Sequence, residues 1–108
     1  MLSNIVPSSP DQIASMSERA REVVRLNIEA LEALERSIDV SLARACDIIM
    51  GRPGYVVVTG MGKSGHIGNK IAATLASTGT SAFFVHPGEM SHGDLGMLRP
   101  DVALLAIS

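Results

Sequence analysis

The chain lacks the features that mark secreted, membrane-spanning and nucleic-acid-binding proteins. Its 108 residues include one cysteine, Cys46, so an intrachain disulfide is impossible and a reducing compartment is expected. No run approaches the roughly 18 apolar residues that a membrane-spanning helix needs. The N-terminal stretch MLSNIVPSSP has neither the basic start nor the apolar run of a secretory signal. The sequence has nine basic and eleven acidic residues, and this balance argues against general nucleic-acid binding. These absences predict a cytoplasmic globular domain.

Two helices are predicted before the first strand. Ser9 and Gln12 have the spacing of a capping box around an N1 proline, so the first helix is expected to start here and to run to about Ser37. Its apolar stripe comprises Ile13, Met16, Ala20, Val23, Val24, Leu31, Leu34 and Ile38. Either this stripe covers the sheet of its own domain or part of it packs on another subunit. Asp39 predicts the start of a second helix, which reaches Met50.

A strand, a glycine-rich turn and a helix follow in VVVTGMGKSGHIGNKIAATLASTGT, which begins at Val56. Three β-branched residues in succession predict a strand buried on both faces of a parallel sheet. The helical pattern begins at His66, and Gly79 can end it in a left-handed conformation. The residues that form the pattern, at spacings of three and four, are Ile67, Ile71, Leu75 and Thr78. The unit presents free backbone N–H groups and the positive end of a helix dipole, an arrangement that favours an anion such as phosphate.

Two further strands are predicted, from Ala82 to Val85 and from Val102 to Ile107. Between them, HPGEMSHGDLGMLRP is expected to form a loop with a helical turn near Met90 to Leu95. The order of elements indicates an α/β fold with a doubly wound parallel sheet of the Rossmann-like, three-layer type. Open sheets of this kind bind ligands at the carboxyl ends of their strands, and Ser108 lies at such an end. We therefore expect the chain to be a fragment, truncated after the third strand.

The glycine turn matches two nucleotide-binding patterns, each incompletely. Gly60, Gly62 and Gly65 fit G-x-G-x-x-G, but the acidic residue expected about twenty positions later is replaced by the segment Phe84–His86. A nicotinamide cofactor is therefore not expected. A P-loop needs a glycine five residues before Gly62, where Val57 stands, and this argues against nucleotide hydrolysis.

Polar groups in the turn are candidates for binding a ligand. The ammonium of Lys63 can face a phosphate or a developing oxyanion, and we favour this role over that of a solvated surface lysine. Ser64 can donate its hydroxyl to the same anion, or it can cap a helix that begins at Gly65. The backbone of Gly62 and Gly65 is expected to approach the ligand closely.

The loop after the second strand carries His86, Glu89 and His92 at intervals of three. They are either metal ligands or, as is commoner for such loops, residues held by hydrogen bonds; we expect no metal, with His86 and His92 as weak candidates. A histidine in a cleft above a sheet can also move protons near neutral pH. Ser77 and Thr78 are either helix-end residues or polar groups near the cleft.

From Val56 onward the sequence resembles the sugar isomerase (SIS) domain family. More narrowly, GMGKSGHIGNKIAATLASTGT followed by FFVHPGEMSHGDLGM resembles the D-arabinose-5-phosphate isomerases. The resemblance implies an SIS-type parallel sheet flanked by helices, which binds phosphorylated sugars. On this basis we divide the chain into a flexible leader (1–8), two N-terminal helices (9–51) and the N-terminal part of an SIS domain (54–108).

The resemblance also implies an activity. The narrower group interconverts D-ribulose 5-phosphate and D-arabinose 5-phosphate, without a cofactor, in the biosynthesis of the lipopolysaccharide sugar 3-deoxy-manno-octulosonate. By this resemblance the lysine of GMGKSG, here Lys63, is expected to lie in the active site, and the second histidine of HPGEMSHGD, here His92, to contribute to catalysis or substrate positioning. His86 and Glu89 match the same substrate-binding loop. Ser108 matches the first residue of a serine-rich phosphate loop, beyond which the family has its catalytic glutamates.

Two further implications concern partners and an alternative function. Full-length relatives are homo-oligomers, typically tetramers, so a homo-oligomer with a small sugar phosphate as its ligand is expected. SIS domains also occur as non-catalytic sugar-phosphate-binding domains of transcriptional regulators. The histidines of HPGEMSHGDLGM favour the enzyme, and no DNA-binding segment is recognisable in this sequence.

Overall fold

The structure is a computed structural model that describes residues 4–93, 96 and 98–108. Within these residues it contains four helices and three strands. The helices are α1 (Pro10–Ser37), α2 (Val40–Gly51), α3 (Gly62–Ser77) and α4 (Pro87–Ser91), and the strands are β1 (Val56–Gly60), β2 (Ala82–Phe84) and β3 (Ala103–Ile107). The chain divides into two compact units, of which one ends at Asp39 and the other runs from Val40 to Ser108.

The first unit consists mainly of α1, which begins and ends as predicted. The Ser9 hydroxyl accepts a hydrogen bond from the Gln12 amide at 3.2 Å, and the Ser9 amide donates to Gln12 Oε1 at 2.7 Å. This reciprocal pair confirms the capping box. No residue of α1 is buried, and apolar side chains of its stripe such as Leu31 are exposed.

The second unit is built around a parallel sheet in the order β2–β1–β3. The central strand β1 pairs with both neighbours, so that Val56 lies opposite Ala82 on one side and Ala103 on the other. All five residues of β1 are buried, as expected for a strand covered on both faces. The predicted boundaries of β2 and β3 are each one residue too long, since β2 ends at Phe84 and β3 begins at Ala103.

Side chains of β1 alternate between two small cores, one on each face of the sheet. On one face Val56 and Val58 pack with Ala72 of α3 and Ala103. On the other face Val57 packs with Val85 and with Met90 of α4. Helical segments therefore cover both faces, and the three-layer α/β prediction is confirmed.

The face that α3 buries differs in part from the predicted stripe, of which Leu75 packs against the core as expected. Its buried residues are Gly65, Gly68 and Ala72, whereas Ile67 is 58% exposed. The reason is close packing: a Cβ added to Gly68 would lie 3.1 Å from Cε2 of Phe84. Only small residues fit where the helix comes this near to the sheet, so side-chain volume overrides hydrophobicity in choosing the face.

The predicted helical turn of the loop lies earlier than expected. Helix α4 starts at Pro87, with His86 as its N-cap, because proline suits the first helical position and the His86 side chain accepts a hydrogen bond from the Gly88 amide. The expected end of the turn at Leu95 lies outside the described residues. At the end of α3, Gly79 has φ +100°, which confirms the left-handed stop.

Among the described residues, none of the helices combines the length and the apolar character that crossing a bilayer requires.

Candidate functional site

Strand β1 passes into helix α3 through one residue, Met61. The helix begins at Gly62, so the predicted start at His66 is wrong, and both Lys63 and Ser64 lie in the first helical turn. Ser64 also does not cap the helix, because the N-cap position belongs to Met61 and no side chain makes a capping hydrogen bond. Gly62 supplies the conformation that joins the two elements, with φ +58°.

In the described part of the chain, the first amides of α3 consequently have no protein acceptor. Every α-helix leaves its first four N–H groups without intrahelical partners, and in α1 the Ser9 hydroxyl satisfies one of them. In α3 the amide of Gly65 donates to the Met61 carbonyl at 3.3 Å. No described partner accepts from the amides of the first three helical residues, 62–64. These amides and the helix dipole favour an oxyanion.

The glycines that flank the turn are required by close packing. A Cβ on Gly65 would lie 2.7 Å from the carbonyl oxygen of Gly60, and one on Gly60 would lie 2.9 Å from that of Ile107. Both distances are shorter than real Cβ contacts. The G-x-G-x-x-G spacing in this chain therefore reflects the packing of a helix start on a strand end, as it does in folds that hold phosphates in this position.

A cleft of about 370 Å³ borders this turn at the carboxyl ends of β1 and β3. We call it the strand-end cleft, and its lining consists of Thr59, Gly60, Met61, Ser64, Pro87, Ala106, Ile107 and Ser108. Its volume falls in the range of small-molecule sites, and its position is the one at which open α/β sheets bind ligands. The structure thus brings together Ser64 and Ser108, two of the predicted substrate-binding residues.

Lys63 and His92, the two predicted catalytic residues, are both exposed and do not line the strand-end cleft. Lys63 is the second residue of α3, beside the uncapped amides. Among the described residues it forms no ion pair, so its charge is available to a ligand. His92 is the C-cap of α4, where its amide donates to the Glu89 carbonyl at 3.1 Å.

A second hollow, of about 340 Å³, lies on the β2 side of the turn. We call it the histidine pocket, and it is lined by Gly60, Gly62, Gly65, His66, Asn69, Phe84 and His86. His86 therefore borders this pocket rather than the strand-end cleft. Its Nδ1 accepts the Gly88 amide at 3.0 Å, which orients the ring and gives His86 a structural task as the cap of α4. The sequence reasoning missed His66 and Asn69, which line this pocket from adjacent turns of the helix.

The alternative that the loop binds a metal ion requires a set of ligands, and the described part of the chain contains none. No group of three or more histidine, cysteine, aspartate or glutamate side chains there is arranged to hold a metal ion. Of the three loop residues in question, His86 uses one ring nitrogen for capping, and Glu89 and His92 are exposed.

Ser77 and Thr78 occupy the far end of α3. Their hydroxyls donate to the Thr74 carbonyl at 2.9 Å and 2.8 Å. Both residues therefore have the role of helix-end residues, the first of the two predicted alternatives. The 16-residue helix α3, about 24 Å long, separates them from the strand-end cleft. We leave Ser77 and Thr78 out of the proposed site for this reason.

Sequence reasoning also missed Thr59, which lines the strand-end cleft. A pattern that could have found it is present in VVVTG, where one hydroxyl interrupts a strand that is otherwise apolar and buried on both faces. Such a position is conspicuous because buried polar side chains need a partner.

Comparison with known proteins gives a consistent picture. A family model described as SIS domain matches residues 49–108, more than half of the chain. The chain is 54% identical over 99 residues to arabinose 5-phosphate isomerase KdsD of Francisella tularensis subsp. tularensis, covering 89% of this chain and 30% of that protein. It is 57% identical over 91 residues to the Yersinia pestis protein of the same name, covering 84% of this chain and 28% of that protein.

A solved structure shares the fold. The E. coli CFT073 protein c3406, solved in complex with a sugar phosphate, matches with a TM-score of 0.81 at 38% identity, covering 88% of this chain and 50% of that chain. The present chain therefore spans less than a third of the length of the two curated relatives and half of the solved chain.

Proposed function

The chain belongs to the SIS domain family, and on that basis we propose that it supplies the sugar-binding βα unit of an aldose–ketose isomerase. The proposed reaction interconverts D-ribulose 5-phosphate and D-arabinose 5-phosphate. The observation that carries the proposal is the uncapped N-terminus of α3 at the border of the strand-end cleft. Relatives with more than half of their aligned residues identical are named arabinose 5-phosphate isomerases, which supports this choice of substrate.

Binding in this proposal depends on the first turn of α3. The free amides of residues 62–64 bind an anionic oxygen of the substrate, and the hydroxyls of Ser64 and Ser108 bind polar groups in the cleft. Such contacts fix the sugar relative to the reacting groups, which converts binding energy into correct orientation.

The reaction moves a proton between C1 and C2 of the open-chain sugar through an enediolate. It needs a base for the carbon-bound proton, an acid for the oxygen and stabilisation of the developing negative charge. We assign charge stabilisation to Lys63, because it is the second residue of α3, in the turn that carries the uncapped amides, and it forms no ion pair in the described residues. We assign ring opening or proton transfer at oxygen to His92. These steps use protein side chains, and we assign no cofactor or metal.

We assign no residue of this chain as the base that takes the carbon-bound proton. Glu89 is the carboxylate of α4, and it is exposed one turn from the cap residue His86. We retain Glu89 as a substrate-binding residue of the loop, together with His86 at the histidine pocket. The alternative function is sugar-phosphate binding without turnover, as in a regulator.

A chimera tests the enzyme proposal. In it, this chain replaces the matching 99-residue segment of the Francisella tularensis relative, which supplies the remaining residues. Incubation with D-ribulose 5-phosphate is expected to yield D-arabinose 5-phosphate at a rate comparable with that of the unaltered relative. A folded chimera that binds the sugar phosphate but does not convert it would favour the regulator function, and one that neither binds nor converts it would refute both.

A second experiment tests the binding unit in the chain itself. Backbone amide resonances of Gly62 and Ser64 are followed by NMR while D-arabinose 5-phosphate, D-arabinose or inorganic phosphate is added. We expect the sugar phosphate to shift both resonances, and the two partial ligands reveal which end of the substrate the amides bind. Unchanged resonances with all three compounds would remove the observation on which the proposal depends.

Three broader statements belong to the same proposal. The D-arabinose 5-phosphate formed would be used in the biosynthesis of the lipopolysaccharide sugar 3-deoxy-manno-octulosonate. The enzyme would work in the cytoplasm, where its single cysteine, Cys46, stays reduced. It would act as a homo-oligomer, a tetramer in the full-length protein. The exposed apolar stripe of α1 supports an oligomer, because none of the residues of this 28-residue helix is buried.

A further inference from the structure

One polar side chain, that of Thr59, lies among the apolar side chains in the core of the second unit. Thr59 is 8% exposed, and its Oγ1 has no hydrogen-bond partner in the part of the chain that the structure describes. Buried hydroxyl groups without a partner are rare in native proteins, because they give up their hydrogen bonds to water and regain none. Thr59 is therefore present at a cost to stability.

The strand itself does not require this hydroxyl. Valine and threonine are both β-branched and have nearly the same shape, so either suits a buried strand. The three residues before Thr59 in β1 are valines. A fourth valine would fill the same space without an unsatisfied polar atom. The hydroxyl is thus the single feature that threonine adds here, and folding does not use it.

The position of Thr59 is at the strand-end cleft. Alternation along β1 places it on the same face as Val57, which packs with Val85 and Met90. One step further along the strand, this face reaches the cleft, and Thr59 forms part of its lining. Its neighbour across the sheet is Ala106, which also lines the cleft.

The surrounding protein groups do not satisfy the hydroxyl. Pro87 has no N–H, and Ala106 and Ile107 contribute apolar side chains to the lining. The remaining hydroxyls of the cleft belong to Ser64 and Ser108. Together with Thr59 they make three neutral hydroxyl groups around one hollow, which is a set suited to a ligand that carries several hydroxyls.

We propose that Thr59 is a substrate-binding residue whose hydroxyl bonds to a hydroxyl or carbonyl oxygen of the sugar in the strand-end cleft. This inference rests on the proposed function and adds a residue to it. Rotation about χ1 exchanges the hydroxyl and the methyl group between staggered positions, so the hydroxyl can turn to the ligand without movement of the backbone. A neutral group that both donates and accepts suits the uncharged part of an open-chain pentose phosphate, whereas the amides of α3 suit its anionic oxygens.

The test compares Thr59→Val with Thr59→Ser in two proteins. In the 108-residue chain, the thermal unfolding midpoint is measured without ligand. In the chimera with the Francisella tularensis relative, KM and kcat are measured for D-arabinose 5-phosphate. We expect Thr59→Val to raise the midpoint and to raise KM by about 3- to 10-fold, the value of one neutral hydrogen bond. Thr59→Ser is expected to keep KM near that of the unmodified chimera.

A matched control is Thr80→Val, since Thr80 lies at the opposite, amino-terminal edge of the sheet and is expected to leave KM unchanged. If the active chimera with Thr59→Val has the same KM as the chimera without the substitution, the hydroxyl does not bind the sugar. The inference is then wrong, while the proposed function stands. If Thr59→Val lowers the unfolding midpoint, the hydroxyl has a partner within the protein and the inference fails as well. In a chimera that binds D-arabinose 5-phosphate without converting it, the same comparison is made on Kd. A chimera that neither binds nor converts the sugar phosphate would overturn the proposed function and this inference with it.

Discussion

Replacing Gly65 with alanine tests whether helix α3 is fixed against the end of β1 by direct backbone contact. The new Cβ would stand 2.7 Å from the carbonyl oxygen of Gly60, 3.3 Å from its carbonyl carbon and 3.5 Å from Cζ of Phe84. Ordinary contact begins at 3.4 Å, so the Cβ and the Gly60 oxygen are about 0.7 Å too close. The oxygen belongs to the backbone and cannot rotate away, and α3 must therefore shift.

The magnitude follows from two opposing effects. Alanine in a helix is more favourable than glycine by up to about 1 kcal/mol. Overpacking that displaces backbone costs about 1–3 kcal/mol, and the rigid Gly60 oxygen puts Gly65 in the upper part of this range. We expect a net loss of about 1–2 kcal/mol in the free energy of unfolding, which lowers the melting temperature by about 5–15 °C in a domain of this size.

The assay is thermal and urea unfolding of the chain, followed by circular dichroism. Gly51→Ala is the matched control, because Gly51 also lies in a helix and an added Cβ there would meet nothing within 4 Å. We expect Gly51→Ala to be neutral or slightly stabilising. In the chimera, Gly65→Ala should also raise KM, since the shift moves the uncapped amides.

Equal melting temperatures for Gly65→Ala and Gly51→Ala would refute this reasoning. The contact between the first turn of α3 and Gly60 would then be looser than the structure has it, and the argument that close packing explains the glycine spacing would fall with it.

The remaining predictions concern catalysis and assembly. Lys63→Ala in the chimera should lower kcat by about 10²–10³-fold, the usual effect of losing a group that stabilises an oxyanion. The control Lys70→Ala, two turns further along the same helix, should leave kcat unchanged. Equal losses of kcat in both variants would refute the role of Lys63 in charge stabilisation. His92→Ala should lower kcat by about 10²–10⁴-fold with little change in the unfolding midpoint; a kcat at the unmodified level would remove His92 from the proposed mechanism. Leu31→Lys should lower the molar mass measured by light scattering, because it puts a charge into the apolar stripe of α1. Glu32→Lys, its neighbour outside the stripe, should not, and an unchanged mass for Leu31→Lys would exclude the stripe as the subunit contact.

The sequence predicted those parts of the fold that depend on local chemistry. The capping box at Ser9, the run of β-branched residues from Val56 and the left-handed stop at Gly79 are each determined by a few neighbouring residues, and the structure confirms all three. The motifs GMGKSG and HPGEMSHGD indicated the SIS domain family, which the family comparison confirms. The lysine and histidine of these motifs remain predictions for catalysis.

Where the sequence was wrong, contacts between distant residues decided the outcome. The exposed position of Ile67 and the buried position of Gly68 follow from the closeness of α3 to Phe84 and the sheet, which no helical periodicity reveals. The start of α3 at Gly62 and its empty cap likewise depend on how the helix meets the strand end.

The sequence by itself therefore determined which elements form and which family they belong to, because caps, turns and alternating patterns act over a few residues. The tertiary structure decided which polar groups meet at the strand-end cleft and left the Thr59 hydroxyl buried without a partner among the described residues. The physical reason is that burial and hydrogen-bond satisfaction depend on what packs against a residue, and in a parallel sheet those neighbours come from segments far apart in the chain.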